Sequence, residues 1–447
     1  MADPATSRGL DPDTLFADAL SPYKRIVLAV SGGPDSMALM TLMARWVASG
    51  KALRGLSVDV ATVDHGLRAQ SSHEAEWVAG RAKAFGFSHT TLVWGGEKPG
   101  SAIQERAREA RYALLVAHAG RLARTGPGGP VAVVTAHTAD DQAETLIMRL
   151  GRGSGLDGLA GMAPSRRLLP DGSVQLVRPL LGLSKSDLAD VLRESGEDWL
   201  DDPSNERIVF ERVRLRRANA HLAALGLSNE KLVVSASRLL RARDAFEQLT
   251  AARLEALADL HGGAYASLDR EAWRREPAEL RVRMLARLLV AFGGNAKPAQ
   301  LSQVEALEAV LARDKAVAQT LGGCIVSQGR TTLRLYREPG RSKIPELVLA
   351  PGEEALWDWR FRIKYETGEQ QDEGEDTLGP VQVRPLGLQA YATLRGNLSP
   401  KDRPPARAAD GLPAIWSGDR LIAVPSLSGW AESDGRFSAV FLGLDAA

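Results

Sequence analysis

The sequence predicts an α/β protein: a parallel sheet with helices on both faces, then a mainly helical middle domain and a small β-rich C-terminal domain. Three observations predict the sheet. Short runs rich in β-branched residues alternate with helix-compatible stretches, and polar or glycine residues bound these runs. Continuous apolar strands separated by helices are typical of parallel sheets that are covered on both faces. Polar clusters directly follow three of the runs, at the ends where such sheets bind ligands.

The elements of the first half follow in chain order. Four runs are predicted as strands because they are rich in β-branched residues and are bounded by polar or glycine residues: residues 26–30, 56–63, 90–93 and 131–135. Four stretches are predicted as helices: residues 36–48, 72–85, 102–123 and 140–150. Residues 180–217 are expected to add one helix and an extended arginine-rich connection.

The second half predicts helices followed by strands. Residues 228–260, 278–292 and 298–313 are expected to be helical, and residues 316–337 are expected to form a hairpin that turns at 327–330. From Trp357 to Tyr365, apolar and charged residues alternate with a strict period of two, which predicts a strand. A hairpin is expected around residues 417–420, and the acidic stretch 366–376 is expected to be a solvated loop. The predicted boundaries are 1–21 for an N-terminal extension, 22–220 for the sheet domain, 221–340 for the middle domain and 345–447 for the C-terminal domain.

Composition narrows the class of protein. A chain of 447 residues, 44% of them hydrophobic, is expected to form two or three domains. The formal net charge is +1, so overall charge gives no argument for a nucleic-acid partner. The one cysteine, Cys324, excludes an internal disulfide and any cysteine-based metal cluster. Because neither a secretory signal nor a membrane-length apolar run is evident, a soluble, cytoplasmic protein without membrane contact is expected.

The first polar cluster is SGGPDS, residues 31–36. A strand, a tight glycine turn and a helix start point backbone N–H groups at a bound anion, because the first helical turn has no internal acceptors for them. The paired glycines let phosphate oxygens approach closely. Ser31 and Ser36 add hydroxyl donors, and Asp35 can hold a metal ion or order the loop. No GxxxxGK[ST] motif occurs, and an ordinary strand–turn–helix connection would not need two serines and an aspartate.

The second polar cluster begins at residue 135, after the fourth predicted strand. If a helix starts near Asp140, then Asp141 and Glu144 lie one turn apart on the same face. Acids in a first turn also stabilise a helix by about 0.3–1 kcal/mol each. That effect explains one or two acids, but not three acids and His137 within eight residues. Residues 153–158 match GxGxxG, but they follow a helical pattern, so a loop meeting a large polar substrate is predicted instead of a dinucleotide site.

These motifs carry a resemblance. SGGPDS resembles the signature of the PP-loop ATP pyrophosphatases, which cut ATP between its α- and β-phosphates. Five segments in this order resemble the tRNA(Ile)-lysidine synthetase family: SGGPDS, VDHGLR (63–68), ERAREARYALL (105–115), TAHTADDQAETLIMRLGRGSGLDGLAGM (135–162) and DDPSNERIVFERVRLR (201–216). The resemblance is strong over residues 22–217 and weaker in the middle domain. Residues 383–425 are similar to the family's C-terminal domain, whereas the first twenty residues have no counterpart.

The resemblance implies a PP-loop fold and a two-step ligase reaction that uses ATP and Mg²⁺. The C2 carbonyl oxygen of the wobble cytidine, in the CAU anticodon of an isoleucine tRNA, attacks the α-phosphorus of ATP and pyrophosphate leaves. The ε-amine of free L-lysine then attacks C2 and expels AMP, which makes lysidine. Family members include homodimers, and the sequence leaves the oligomeric state of this chain open.

The candidate residues can be matched to that chemistry. The nucleotide is expected to contact Ser31, Gly32, Gly33, Pro34, Asp35, Ser36 and His65, with Mg²⁺ on Asp35. The lysine ε-amine has an ordinary pKa near 10.4, so neutralising it at pH 7 costs about 4–5 kcal/mol. A carboxylate beside the amine can bind the ammonium and accept its proton. We assign this role to Asp141 and Glu144, with His137 and Asp140 orienting ATP or metal, and the finer division of roles stays open.

Arginines are the candidate contacts to tRNA phosphates, which position a nucleic acid while base contacts specify it. The candidates are Arg149, Arg152, Arg207, Arg212, Arg214 and Arg216. A solvated helix face with internal ion pairs is the alternative interpretation of the arginine-rich segment 211–217. The C-terminal domain is expected to contribute further tRNA contacts.

Three other functions are weighed against this interpretation. A PP-loop enzyme that 2-thiolates tRNA handles sulfur through paired cysteines, and this chain has only one cysteine. A PP-loop ligase for a small molecule would lack the arginine-rich segment and the added C-terminal domains. A nucleotide-binding module without catalysis would not need the acids of residues 140–144.

Overall fold

The computed structural model describes most of the chain. The described residues are 10–67, 70–96, 98, 103–125, 129–201, 211–295, 297–313, 317–340, 343–366, 379–427 and 436–446. The chain divides into two compact units, Met1–Asp244 and Ala245–Ala447, called unit 1 and unit 2 below. The four-part division predicted from the sequence stays a prediction, and most of the predicted acidic loop lies outside the described residues.

Unit 1 alternates strands with helices. Its strands are β1 (Arg25–Ala29), β2 (Ser57–Asp64), β3 (Ser88–Val93), β4 (Val131–Val134), β5 (Ser165–Arg167) and β6 (Val174–Val177). Its helices are α1 (Pro12–Leu20), α2 (Pro34–Ala48), α3 (Ser71–Ala84), α4 (Ile103–Thr125), α5 (Ala139–Leu150), α6 (Leu156–Leu159), α7 (Lys185–Ser195) and α8 (Glu211–Ala224). Helix α9 (Asn229–Leu257) begins in unit 1 and ends in unit 2.

The six strands form one sheet in the order β3-β2-β1-β4-β6-β5. All neighbouring strands are parallel except β5, which pairs antiparallel with β6 at the edge. Because β1 lies between β2 and β4, the chain leaves the centre of the sheet first in one direction and then in the other. Ligands bind at the carboxyl ends of the strands beside such a reversal, so the loops after β1 and β4 are the expected site.

Both faces of this sheet are buried, as the sequence predicts. Alternate residues of β1 enter different cores: Ile26 and Leu28 pack with α2 and α7, whereas Val27 packs with Leu115 of α4. Helix α1, which lies in the segment predicted as an extension, packs Phe16 against Trp46 of α2. The predicted α/β class with a parallel sheet is therefore confirmed.

One prediction for unit 1 is wrong, and one pair of strands was not predicted. The arginine-rich segment is not extended, because α8 covers Glu211–Ala224. Arginine, alanine and leucine dominate this segment, and all three are strong helix formers. Strands β5 and β6 are three and four residues long, too short to show a clear period in the sequence.

Unit 2 combines helices with three antiparallel sheets. Its helices after α9 are α10 (Arg270–Arg275), α11 (Ala278–Gly293), α12 (Leu301–Leu311), α13 (Leu388–Leu394) and α14 (Ala406–Ala409). Its strands are β7 (Ala258–His261), β8 (Tyr265–Asp269), β9 (Val317–Leu321), β10 (Cys324–Gln328), β11 (Thr332–Arg337), β12 (Leu347–Leu349), β13 (Glu354–Trp357), β14 (Phe361–Tyr365), β15 (Val381–Pro385), β16 (Pro413–Ser417), β17 (Arg420–Ala423) and β18 (Phe437–Phe441).

The sheets of unit 2 confirm the β-rich C-terminal prediction and extend the prediction for the middle region. Strands β12-β15-β16-β17 form one sheet, and β13-β14-β18 form another. The predicted hairpin in the middle region is the β10–β11 pair of a five-stranded sheet, β7-β8-β11-β10-β9, which packs with α11 and α12. Among the described residues, no helix has the length and apolar character needed to cross a bilayer.

The predicted strand from Trp357 to Tyr365 is a hairpin. Asp358 and Trp359 have φ angles of 47° and 54°, so the chain turns between β13 and β14. The turn buries an ionic cluster: Asp358 accepts hydrogen bonds from Arg337 Nε at 2.9 Å and from Arg360 Nε at 2.8 Å. All three side chains are buried, and Arg360 also donates to the Gly411 carbonyl. The cluster thus connects β11, the β13–β14 turn and the loop before β16.

Candidate active site

The loop after β1 has the geometry expected of a phosphate-binding turn. Ser36 holds it together, because its hydroxyl donates to the Gly33 carbonyl at 2.9 Å and accepts from the Ser31 backbone N–H at 3.2 Å. Gly33 caps α2 in an extended conformation and Pro34 opens the helix, so the first N–H groups of α2 lack helical acceptors. This arrangement can bind an anion at the start of α2.

Gly32 is required in this loop for two reasons. Its φ angle is +87°, a conformation that costs other residues roughly 1–2 kcal/mol. An added Cβ would also lie 2.7 Å from Leu200 Cδ1, beside the Leu200 N–H that donates to the Gly32 carbonyl.

We expect Gly32→Ala to weaken binding of an ATP analogue by about tenfold or more, because strain would shift the N–H groups of the loop. Equilibrium binding of a non-hydrolysable analogue measures this change. Gly50→Ala is the matched control, since Gly50 also has a positive φ, +73°, but open space around it at the other end of α2. Equal analogue affinity in Gly32→Ala and the unaltered protein would contradict the prediction.

The loop after β4 leads into α5 through a capping box. Thr138 is the N-cap, and its backbone N–H donates to Asp141 Oδ2 at 3.0 Å while its hydroxyl bonds the same carboxylate. One oxygen of Asp141 thus serves the helix start. Its other oxygen, Oδ1, lies 3.5 Å from Lys185 Nζ. The predicted helix-stabilising role and the predicted site role therefore involve different atoms of the same side chain.

Glu144 lies one turn further along α5, as predicted, and is also buried. Its Oε1 accepts a hydrogen bond from Arg216 Nε at 2.6 Å and lies 4.0 Å from Lys185 Nζ. Asp141 and Glu144 therefore form a buried carboxylate pair that faces two cations. Asp140 differs from this pair, because its oxygens accept from the Lys185 backbone N–H and from Asn229 Nδ2, both at 2.8 Å.

Electrostatics connect the two loops. Burial raises the pKa of Asp35 above its ordinary value, and the charges of Asp141 and Asp140 raise it further. Lys185 and Arg216 lower the same pKa. The carboxylates and cations of α5, α7 and α8 are thus close enough to Asp35 to perturb it, so the phosphate loop and the carboxylate pair share one edge of the sheet.

A cluster of four arginines lies at the same edge. The guanidinium groups of Arg108, Arg111 and Arg166 lie 5.3, 5.5 and 5.8 Å from the ring centre of Tyr112. Burial would raise the pKa of the Tyr112 hydroxyl, but these three arginines and Arg178 lower it. So many cations around one site favour an anionic ligand.

His137 and His65 lie beside this arginine cluster. Burial and the charge of Arg178 lower the pKa of His137 to about 3, so its ring is neutral near pH 7. Its Nδ1 bonds the Thr135 hydroxyl at 2.9 Å. Burial, followed by the charge of Arg111, also lowers the pKa of His65, whose Nδ1 is buried without a hydrogen-bond partner among the described residues. Both histidines can therefore act as neutral donors or acceptors toward a ligand.

The candidate tRNA contacts are distributed unevenly. Arg214 and Arg216 lie on α8, Arg152 is exposed after α5, and Arg149 Nη1 donates to the carbonyls of Gly158 and Gly161. Arg149 thus holds the end of the predicted substrate loop, residues 153–158, in which the short helix α6 begins. Arg207 and the side chain of Arg212 lie outside the part of the chain that is described.

The site includes residues that the sequence analysis did not select. Lys185 contacts the carboxylate pair, and Arg108, Arg111, Arg166, Arg178 and Tyr112 form the arginine cluster. Arg108 and Arg111 have the i,i+3 spacing of one helix face, and Thr138-x-x-Asp141 matches a capping box, so two of these features had a readable signal. No such signal marks Lys185.

The described residues contain no group of three or more His, Cys, Asp or Glu side chains arranged to hold a metal ion. Mg²⁺ does not require such a group, because it is commonly bound by one or two carboxylates together with substrate phosphates. Asp35, at the start of α2 and beside the anion-binding N–H groups, is the residue that could take part.

Comparison with known proteins agrees with this geometry. A family model described as a PP-loop domain matches residues 11–221. The tRNA(Ile)-lysidine synthase of Ruegeria pomeroyi is 40% identical over 408 residues, which cover 90% of this chain and 89% of the relative. The enzyme of the same name from Bradyrhizobium diazoefficiens is 42% identical and covers 74% of this chain and 94% of the relative. That of Rhizobium meliloti is 33% identical and covers 87% and 84%.

Proposed function

This chain belongs to the tRNA(Ile)-lysidine synthase family, and from that premise we propose how its residues carry out the ligation of lysine to tRNA. ATP activates C2 of the wobble cytidine in the CAU anticodon, free lysine displaces AMP, and pyrophosphate and AMP are released. The observation that carries the proposal is the buried pair Asp141 and Glu144 at the same sheet edge as the phosphate loop. We propose the cytoplasm as the place of action.

The adenylation step uses the first loop. The N–H groups at the start of α2 and the hydroxyl of Ser31 hold phosphate oxygens, and the arginine cluster stabilises the charge that develops on pyrophosphate. Mg²⁺ on Asp35 would supply further charge neutralisation when bound. Neutral His137 and His65 contact the nucleotide without adding positive charge.

The lysine step uses the carboxylate pair. The ε-ammonium of free lysine binds between Asp141 Oδ1 and Glu144, and the pair accepts the proton that the amine must lose before it attacks C2. Arg216 fixes the orientation of Glu144, and Thr138 fixes that of Asp141. This arrangement supports a proton acceptor that is oriented before the substrate arrives.

A direct assay tests the proposal. The protein is mixed with ATP, labelled lysine and a transcript of isoleucine tRNA with the CAU anticodon, and we expect label in the RNA together with AMP and pyrophosphate. A transcript with GAU, which lacks the wobble cytidine, is the control and should stay unlabelled. AMP formation on the CAU transcript without label in the RNA would contradict the proposal.

Sulfur transfer to tRNA finds no support in the site. Cys324 lies in unit 2, fully buried, and burial raises the pKa of its thiol to about 12. A thiol in that environment is not a nucleophile at neutral pH.

The arginines of α8 are proposed to contact tRNA phosphates. We expect Arg214→Gln to weaken tRNA binding at every salt concentration and to reduce the slope of log K against log salt by about 0.7–0.9, because one phosphate contact is lost. Binding titrations at several salt concentrations measure this slope.

ATP affinity should stay the same in Arg214→Gln, since Arg214 is exposed on α8. The control is Lys51→Gln. Lys51 is an exposed cation that follows α2 in the chain and pairs with Asp13 of α1. Equal salt slopes in Arg214→Gln and Lys51→Gln would count against a phosphate contact at Arg214.

A further inference from the structure

We propose that Lys185 is a placeholder for the substrate: without free lysine, its own ammonium occupies the subsite between Asp141 and Glu144, and substrate lysine must displace it. The inference rests on the proposed function, because it takes the carboxylate pair as the lysine subsite. It adds a residue that sets the affinity for lysine.

The contacts of Lys185 are those of a loosely held ammonium. Its Nζ lies 3.5 Å from Asp141 Oδ1 and 4.0 Å from Glu144 Oε1. Charge-assisted N–H···O bonds are about 2.7–2.9 Å long, so neither contact is a close bond. Arg216, by contrast, bonds Glu144 at 2.6 Å. The side chain of Lys185 is 32% exposed whereas Asp141 and Glu144 are about 10% exposed, so the ammonium has an open way out.

The backbone of Lys185 is fixed although its side chain is not. Its N–H donates to Asp140 Oδ2 at 2.8 Å, and it is the first residue of α7, whose start is closed by the Ser184–Asp187 capping box. A lysine stem has four rotatable carbons and about 2 kcal/mol of rotamer entropy. The ammonium can therefore swing out of the subsite while its anchor stays in place.

The charge balance favours exchange of one ammonium for another. Among the described residues, the carboxylates of Asp35, Asp141 and Glu144 lie near the cations of Lys185 and Arg216. If Lys185 left without a replacement, Asp141 and Glu144 would lose a cation that lies within 4.0 Å of both carboxylates. The ammonium of substrate lysine is chemically identical to that of Lys185, so it restores the same charge at the same position.

The test compares the lysine dependence of labelled-lysine incorporation into the CAU transcript. We expect Lys185→Met to lower the KM for lysine by about 3–10-fold, the factor that applies if Lys185 fills the subsite in about 70–90% of molecules. Lys185→Arg should not lower it, because a guanidinium keeps a cation in the subsite. Arg193→Met is the control on the same helix, since Arg193 is exposed and pairs with Asp190.

A second measurement does not depend on catalysis. A ligand that binds only the folded state raises the unfolding temperature according to its concentration relative to Kd. At one fixed lysine concentration, the lysine-induced shift should be larger in Lys185→Met than in the unaltered protein. Lys185→Gln gives the same comparison if the methionine variant folds poorly.

The outcomes separate this inference from the proposed function. If the unaltered protein incorporates no lysine into the CAU transcript, the proposed function fails and the placeholder fails with it. If the protein incorporates lysine but Lys185→Met has an unchanged or higher KM, the placeholder alone is overturned. A lower KM in both Lys185→Met and Lys185→Arg would also overturn it, because occupancy by a cation would then not matter.

Discussion

Replacement of Glu144 by Gln is expected to reduce lysine transfer by about 10²–10⁴-fold, the usual contribution of a positioned proton acceptor. The change keeps the volume of the side chain and leaves an amide oxygen for Arg216 Nε, which now donates to Oε1 at 2.6 Å. Adenylation should continue, because the phosphate loop and the arginine cluster are untouched. Pyrophosphate release and labelled-lysine incorporation, measured separately on the CAU transcript, distinguish the two steps.

Unit 2 offers a matched control for this variant. Glu308 is also a buried glutamate, and its Oε1 accepts from Arg281 Nε at 2.6 Å, so Glu308→Gln makes the same chemical change within unit 2. We expect Glu308→Gln to transfer lysine at the normal rate. Asp141→Asn should also lose lysine transfer, but it perturbs the capping box as well. Near-normal transfer in Glu144→Gln would show that the proton goes elsewhere.

Asp358→Asn is expected to destabilise unit 2 by about 3–5 kcal/mol, the usual cost of removing one partner from a buried ion pair. The substitution leaves the buried guanidinium groups of Arg337 and Arg360 without their shared carboxylate. Asparagine tolerates the φ angle of 47° at this position, so the effect of charge is separated from backbone strain. Hydrogen exchange of the β14 amides under native conditions measures the free energy of opening in this unit.

The control for this variant is Asp419→Asn in the β16–β17 turn. Asp419 is fully exposed and lies 3.9 Å from Arg384, a separation at which surface pairs contribute little. We expect its exchange protection to change by no more than about 0.5 kcal/mol. If Asp358→Asn changed protection as little as Asp419→Asn, the buried cluster would not be important for the stability of unit 2.

The sheet of unit 1 could be predicted because local and global signals agree. The central strands β1 and β4 are apolar on both faces, so each appears in the sequence as a continuous run, and the helices between successive strands indicate the parallel order. Strands β5 and β6 were not predicted, because three or four residues are too few to show a periodic pattern of apolar residues. The arginine-rich α8 was predicted as extended, although arginine, alanine and leucine all have high helix propensity.

The β13–β14 hairpin shows why alternation can mislead. Trp357 pairs with Phe361 across a three-residue connection, so paired residues differ by an even number. Odd-numbered residues therefore face the same side in both strands, and the period of two continues through the turn. A single nine-residue strand and this hairpin have the same pattern, and the sequence lacks a glycine or proline at the turn that would distinguish them.

The parts of the candidate site that could be predicted are those in which several functional side chains lie close together in the sequence. Residues 31–36 and 137–144 each bring several functional groups on one short stretch. Lys185, Arg166 and Arg178 come from segments that are distant in the chain from the residues they contact, and single cations are common on protein surfaces. Only the fold brings them to the same carboxylates and the same tyrosine ring.

The proximity of Asp35 to the α5 carboxylates has a kinetic consequence for the proposed reaction. An activated base is an ester-like electrophile that water can destroy. The proposed lysine subsite, Asp141 and Glu144, lies beside the loop from which pyrophosphate departs. The activated RNA therefore need not dissociate between the two steps. Lysine that is already bound at the carboxylate pair can then react with the adenylated base before water does. Less ATP is therefore lost to hydrolysis of the intermediate.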